Sequence, residues 1–297
     1  MSCSGTECRR FPASSTETGR TPGGEAAAPG VRVPGAPGAS GRPAAVLAAA
    51  PAAPGAPVPS GPALVDGCRT RPVPLPAMGK HSAHVVWDWN GTLLDDIHTV
   101  IEATNASFAE IGLSPITLER YRELYCVPVP RFYERLMGRL PTDEEWAAMD
   151  AVFHRHYWRL AETCLLTVGA AELLAARQAA GRTQSLLSLA PHEHLIPIVR
   201  RHGIEERFVR VDGRVGASHA GKAEHMVRHL AAMENVPPER IVVVGDAADD
   251  ALAAAHVGAK AVLYTGGSHS RASLRAAGVP VVDSLAEAVE VAEELVG

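Results

Sequence analysis

From residue 83 onward the chain alternates between short unbroken apolar runs and longer segments with helical periodicity. AHVVWD (83–88) is a run of the first kind that ends in an acid, which predicts a buried strand. From Ile97 the period changes. Ile97, Val100, Ile101, Thr104, Phe108 and Ile111 fall on one helical stripe, and Gly112 ends it. Residues 117–163 stay helical in character and show no strand pattern, with breaks at Val127-Pro128-Val129-Pro130 and at Pro141. Thr142 and Glu145 stand at capping-box spacing.

After Gly169 strands and helices alternate. The pattern predicts a helix over 170–180 that stops at Gly181, a strand over 183–188, a helix over 192–202 and a strand over 208–211. Further on it predicts a helix over 221–234, a strand over 241–246, a helix over 248–256 and a strand over 260–265. A helix over 270–276, a short strand over 279–282 and a helix over 284–295 complete the chain. Apolar strands of four to six residues that alternate with helices form a parallel sheet covered on both faces. The fold class is therefore α/β, with an all-helical insert after the first strand. In such sheets ligands bind beyond the carboxyl ends of the strands, so Asp88, Ser188 and Asp246, each at a strand's end, are expected on one rim.

Composition separates residues 1–78 from the rest. They hold 14 of the 23 prolines and 11 of the 27 glycines, and this Pro/Gly/Ala-rich stretch reads as a disordered leader. Met78, directly before GKHSAHVVWDWNGT, offers an alternative start. The leader carries seven arginines against four acids; with −5 for the whole chain, residues 79–297 carry −8. That acidic balance argues against a nucleic-acid surface. No run approaches the ~18 apolar residues of a membrane span. The five cysteines are scattered without a CxxC pair, which places the chain in a reducing, cytoplasmic setting. Oligomeric state is not encoded in any of these features.

The chemistry sits in VVWDWNGTLLDD (85–96). Asn90-Gly91 alone signals a hairpin turn, but the next segment is helical. A carboxylate on a strand tip beside a Gly-Thr turn either binds a hard cation or attacks an electrophile. A second acid group follows another strand as GDAADD (245–250), with Asp246 and Asp250 as the pair and Asp249 as an alternative member. Several acids on one rim repel each other, and a divalent cation such as Mg²⁺ relieves that. Ser188 adds a hydroxyl, and Lys222, after Gly221 at a helix start, adds a point charge for a phosphoryl oxygen. Carboxylate, metal, hydroxyl and lysine together suit phosphoryl transfer.

These four pieces in this order resemble the haloacid dehalogenase (HAD) superfamily: DWNGTLLD as its first motif, the strand ending at Ser188 as its second, Lys222 as its third and GDAADD as its fourth. The resemblance spans about residues 79–297 and is nearest to phosphoglycolate-phosphatase-type members. It implies a Rossmann-like core (79–96 and 167–297) with a helical cap over 97–166. It implies an Mg²⁺-dependent phosphatase that acts through an aspartyl-phosphate on a small phosphorylated metabolite, with phosphoglycolate as a candidate. In that scheme Asp88 is the nucleophile, and Gly91, Thr92, Ser188 and Lys222 hold the phosphoryl group. Mg²⁺ is held by Asp88, Asp246, Asp250 and the backbone carbonyl of Asn90.

Asn90 departs from the family pattern, which has an aspartate there as general acid. General acid–base help is worth about 10²–10⁴-fold. The alternative reading is accordingly a phospho-ligand-binding or regulatory protein with weak catalysis. Among other candidates, His225 and His229 lie four residues apart but lack the glutamate of a zinc motif, so they read as a solvated helix face. His154 with His156, and His192 with His194, read the same way, although His192 follows Ser188 closely enough to touch substrate. Tyr125 and Arg131, near the proline break, are candidate substrate gates.

Overall fold

A computed structural model describes residues 73–74, 82–215, 221–234 and 236–297. The expected disordered leader lies outside the described residues, with one exception. Val73–Pro74 (β1) forms a short parallel ladder with Met233–Glu234 (β7), so this part of the leader is a strand, not coil.

The remaining elements follow in chain order. β2 (His84–Trp87) leads through a tight loop to β3 (Leu94–Asp95). Four helices come next: α1 (Ile97–Glu110), α2 (Leu118–Leu124), α3 (Val129–Met137) and α4 (Asp143–Ala161). Then come β4 (Leu165–Leu166), α5 (Ala170–Ala179), β5 (Gln184–Pro191), α6 (His192–Arg201), β6 (Val211–Arg214) and α7 (Lys222–Ala231). After β7 the chain runs through β8 (Ile241–Gly245), α8 (Ala248–His256), β9 (Lys260–Tyr264), α9 (Arg271–Arg275), β10 (Val281–Val282) and α10 (Leu285–Val296).

Six strands form one parallel sheet in the order β10-β9-β8-β2-β5-β6. β2 and β8 lie side by side at its centre, and each is buried along its whole length. Strands covered on both faces carry no polar alternation, which is why HVVW and IVVVG read as continuous runs. On one face, Val85, Trp87 and Val242 pack with Leu174, Leu195 and Leu285 of α5, α6 and α10. On the other, Val86 and Val243 pack with Met226 and Ala254 of α7 and α8. The chain is a Rossmann-like α/β fold.

The helices between β3 and β4 have a core of their own, built on Phe108, Tyr121, Phe132, Tyr133 and Met149. The Thr142–Glu145 capping box forms as the sequence predicts. β3 and β4 pair antiparallel and close the neck where the chain leaves and rejoins the sheet. Neither was visible as a strand, because two residues are too few to show a period.

Four expectations need correction. The strand expected over 208–211 runs over Val211–Arg214, because Glu205–Arg207 first forms a 3₁₀ turn. The helix expected to reach 234 ends at Ala231, since Met233 and Glu234 pair with β1 instead. β5 extends to Pro191 with a shift of register after Leu187, so Ser188 sits at an irregularity inside the strand. His225 and His229 are buried rather than solvated, because α7 turns them toward the sheet.

Candidate active site

Each acidic residue of the site arrives at the end of a central element. Trp87 of β2 is in register with Val244 of β8, and the chain leaves both strands through Asp88 and Asp246. Asp88 continues the ladder, its amide donating to Val244 O at 2.8 Å. Asp250 lies in the first turn of α8, where its Oδ2 accepts from the Ala247 amide at 3.0 Å. Lys222 opens α7 from the same side. Carboxylate oxygens of Asp88, Asp246 and Asp250 lie within 4.8 Å of one another, and all three residues are buried. They are the only such cluster of potential ligands among the described residues.

Lys222 answers part of this charge. Its Nζ lies 2.7 Å from Asp88 Oδ1 and also pairs with Asp250 Oδ1. One ammonium among three carboxylates leaves negative charge in excess. Burial, and Asp250 nearby, push the Asp88 carboxyl up to about 7 although Lys222 pulls it down. Burial and the neighbouring Asp88 and Asp250 hold Asp246 well above the usual carboxylate range. Burial works to lower the Lys222 ammonium, but Asp250 and Asp88 together outweigh it and raise the group.

The donor chemistry fits a hard divalent cation. Three oxygen ligands converge, and Mg²⁺ favours one or two carboxylates with further oxygen donors. The backbone makes room for them. A Cβ at Gly245 would run into the Asp250 carboxylate, and one at Gly267 into that of Asp246. At Gly91, which adopts φ +67°, a Cβ would come within 2.7 Å of Asp246 Oδ2. Ser268 then fixes Asp246 by donating its amide to Oδ2 at 2.6 Å.

Among the expected phosphate-binding residues, Ser188 is buried, and its Oγ accepts from the Ala190 amide at 3.0 Å and faces Asn90 Oδ1 at 3.5 Å. Thr92 is fully buried, and its hydroxyl has no hydrogen-bond partner among the described residues. Asp249 is only partly buried and stands outside the acid cluster, so geometry selects Asp250. Arg131 is exposed and paired with Glu134. Tyr125 packs edge-on against His269, 5.1 Å between ring centroids. His192 accepts from the Gly213 amide and lines a 330 Å³ cleft with Phe208 and Arg210 that includes none of Asp88, Asp246 and Asp250. His194 stacks on Trp158, and His154 pairs with Asp150.

Sequence reasoning missed three contributors. Asp96 lies beneath the first loop, where it binds both Asn90 and Gly91. Tyr157 reaches the same carboxylate from α4. Arg122 of α2 donates to Gly266 O and Gly267 O, both at 2.8 Å, beside the residue that fixes Asp246. Asp96 stood in view as one more acid, but nothing in a helical stripe marks Tyr157 or Arg122.

The family model for haloacid dehalogenase-like hydrolases matches residues 83–258, which takes in all four motifs. The chain belongs to this family, and it is a hydrolase. It is 28% identical over 197 residues to a phosphoglycolate phosphatase of Synechococcus elongatus, covering 65% of this chain and 88% of that one. A predicted phosphatase from Clostridium acetobutylicum shares the fold with a TM-score of 0.62 at 16% identity, covering 72% of this chain and 99% of that one. Protein tyrosine kinase A of Mycobacterium tuberculosis shares it with a TM-score of 0.58 at 24% identity, covering 72% and 99%. One fold thus carries differently named activities, and the chemistry must be read from the site. Among the described residues no helix is long and apolar enough to cross a membrane.

Proposed function

We propose that the protein is a Mg²⁺-dependent phosphatase that hydrolyses a small phosphorylated metabolite through a phosphoryl group carried on Asp88. The observation that supports this best is the buried cluster of Asp88, Asp246 and Asp250 with Lys222 at the tips of two central strands.

In this reading Asp88, Asp246, Asp250 and the Asn90 carbonyl hold Mg²⁺, which when bound neutralises charge and polarises the phosphoryl oxygens. One oxygen of Asp88 attacks phosphorus, a P–O(Asp88) bond forms and the bond to the leaving oxygen breaks. Water then attacks phosphorus and releases a proton to solvent, the P–O(Asp88) bond breaks with its electron pair returning to the Asp88 carboxylate, and inorganic phosphate is released. Lys222, Ser188, Thr92 and the amides around Gly91 hold the phosphoryl oxygens; the unpartnered Thr92 hydroxyl supports that role. The helices of residues 97–166 act as a cap that excludes water. Arg122, docked on Gly266 and Gly267, supports a closed position. Phosphoglycolate, for which the relatives are named, is the alkyl phosphate to include in the substrate series. The free thiols Cys126 and Cys164 accord with a reducing, cytoplasmic setting.

The test is p-nitrophenyl phosphate turnover with and without Mg²⁺, beside Asp88→Asn. Phosphate release that needs Mg²⁺ and vanishes in Asp88→Asn is expected. Equal, absent release from both proteins would replace this reading with the phospho-ligand-binding one.

A further inference from the structure

We infer that Asp96 and Tyr157 are positioning residues that lock the side-chain amide of Asn90, so that position 90 offers the phosphate site an oxygen acceptor and withholds a proton. The inference rests on the phosphatase reading and deepens it, because it sets the class of leaving group.

Asp96 occupies the residue before α1, where an aspartate ordinarily caps the helix with its side chain. It makes no such bond. Its carboxylate turns into the first loop instead. Oδ1 accepts from the Gly91 amide at 2.7 Å, and Oδ2 accepts from Asn90 Nδ2 at 2.8 Å and from the Tyr157 hydroxyl at 2.5 Å. The residue is 1% exposed, so it meets no substrate itself.

The partners of Asp96 fix the amide. Asp96 already accepts from the Gly91 amide and the Tyr157 hydroxyl, and the Asn90 nitrogen, not its oxygen, is the atom that faces it. Nδ2 lies 2.8 Å from Asp96 Oδ2 and 2.5 Å from Tyr157 Oη, so both groups hold the nitrogen end of the amide. Tyr157 spends its single hydrogen on Asp96. The nitrogen end of the amide is held below the loop, and Oδ1 is left to face Ser188. An aspartate at 90 would set two carboxylates against each other at this distance. Within this hydrogen-bonded pair the amide is at 90 and the acid at 96.

A locked acceptor gives no proton to the departing oxygen. When the Asp88–phosphorus bond forms and the ester bond breaks, the leaving oxygen departs with its electron pair and is protonated later by solvent. Aryl and acyl phosphates, whose leaving groups are stable as anions, are then better substrates than alkyl phosphates.

The experiment compares wild type, Asn90→Asp, Asp96→Asn and the double exchange Asn90→Asp/Asp96→Asn. For each, kcat/KM is measured across aryl and alkyl phosphates and stability by urea unfolding. Wild type is expected to depend steeply on leaving-group acidity. Asn90→Asp alone should stay steep and lose stability. The double exchange should recover stability and raise alkyl phosphate turnover at least about tenfold over Asn90→Asp, within the range of general acid catalysis. In nitrogen-15 spectra, Tyr157→Phe should unprotect one Asn90 amide proton. The inference is overturned if Asn90→Asp alone flattens the dependence at full stability, or if the double exchange matches Asn90→Asp in both readouts. Unchanged amide protection in Tyr157→Phe removes the tyrosine from it. If wild type cleaves no ester at all, the phosphatase reading fails, and unfolding and amide protection still decide the lock.

Discussion

Lys222 Nζ lies 2.7 Å from Asp88 Oδ1, and both side chains are buried where α7 begins and β2 ends. The same ammonium pairs with Asp250, so one cation holds two of the three clustered acids. Breaking a buried pair on one side leaves an uncompensated charge, at a cost of about 3–5 kcal/mol. Lys222→Met is expected to lose stability on that scale in metal-free urea unfolding and to lose phosphate release. Added Mg²⁺ should restore much of the stability but not the activity.

The acids also set a pH dependence. Asp88 in the metal-free fold titrates at about 7, raised by burial. Below that pH the carboxyl holds a proton that a cation must displace. Mg²⁺ affinity should therefore weaken as pH falls from 8 to 6, approaching about tenfold per unit below the pKa. Isothermal titration at several pH values reads this directly, and Asp88→Asn should flatten the profile.

Gly267 gives a test of the cluster that leaves its ligands intact. A Cβ there would collide with the Asp246 carboxylate, which Ser268 holds in place. Gly267→Ala should displace Asp246 and weaken Mg²⁺ binding. Its far-ultraviolet circular dichroism should stay that of wild type, since the loop follows β9 outside any helix or strand.

Acid should destabilise the sheet through His84. This side chain is buried on β2 between the hydroxyls of Thr183 and Ser185, each 2.9 Å from a ring nitrogen. Burial, with help from His229 and Arg177, lowers it to about 3. The unfolded chain binds that proton near pH 6.5 and the folded chain does not, so stability falls as pH drops below 6.5. The His84 contribution is about 1.4 kcal/mol per pH unit in that range. Urea unfolding at pH 7 and 5 should show the loss, and His84→Gln should reduce it.

Much of the fold was legible because β2 and β8 are covered on both faces, and a doubly buried strand must be apolar throughout. The capping box at Thr142 and Glu145 was legible for a similar reason, since its partners lie three residues apart. Asp88, Asp246, Asp250 and Lys222 were legible because each follows or opens a regular element, and parallel topology gathers strand ends onto one rim.

What the sequence determined, then, is whatever depends on local period and on chain order: the alternation of elements, the helical insert and the four pieces of the acid cluster. Only the tertiary structure decided what depends on orientation across long separations. His225 and His229 lie on a helix whose buried side the sequence could not name. Tyr157 meets Asn90 across 67 residues, and Arg122 meets Gly267 across 145. Asp96 was visible as a charge, but its bond to Tyr157 exists only once α4 has closed over the first loop, because a hydrogen bond needs both partners in place.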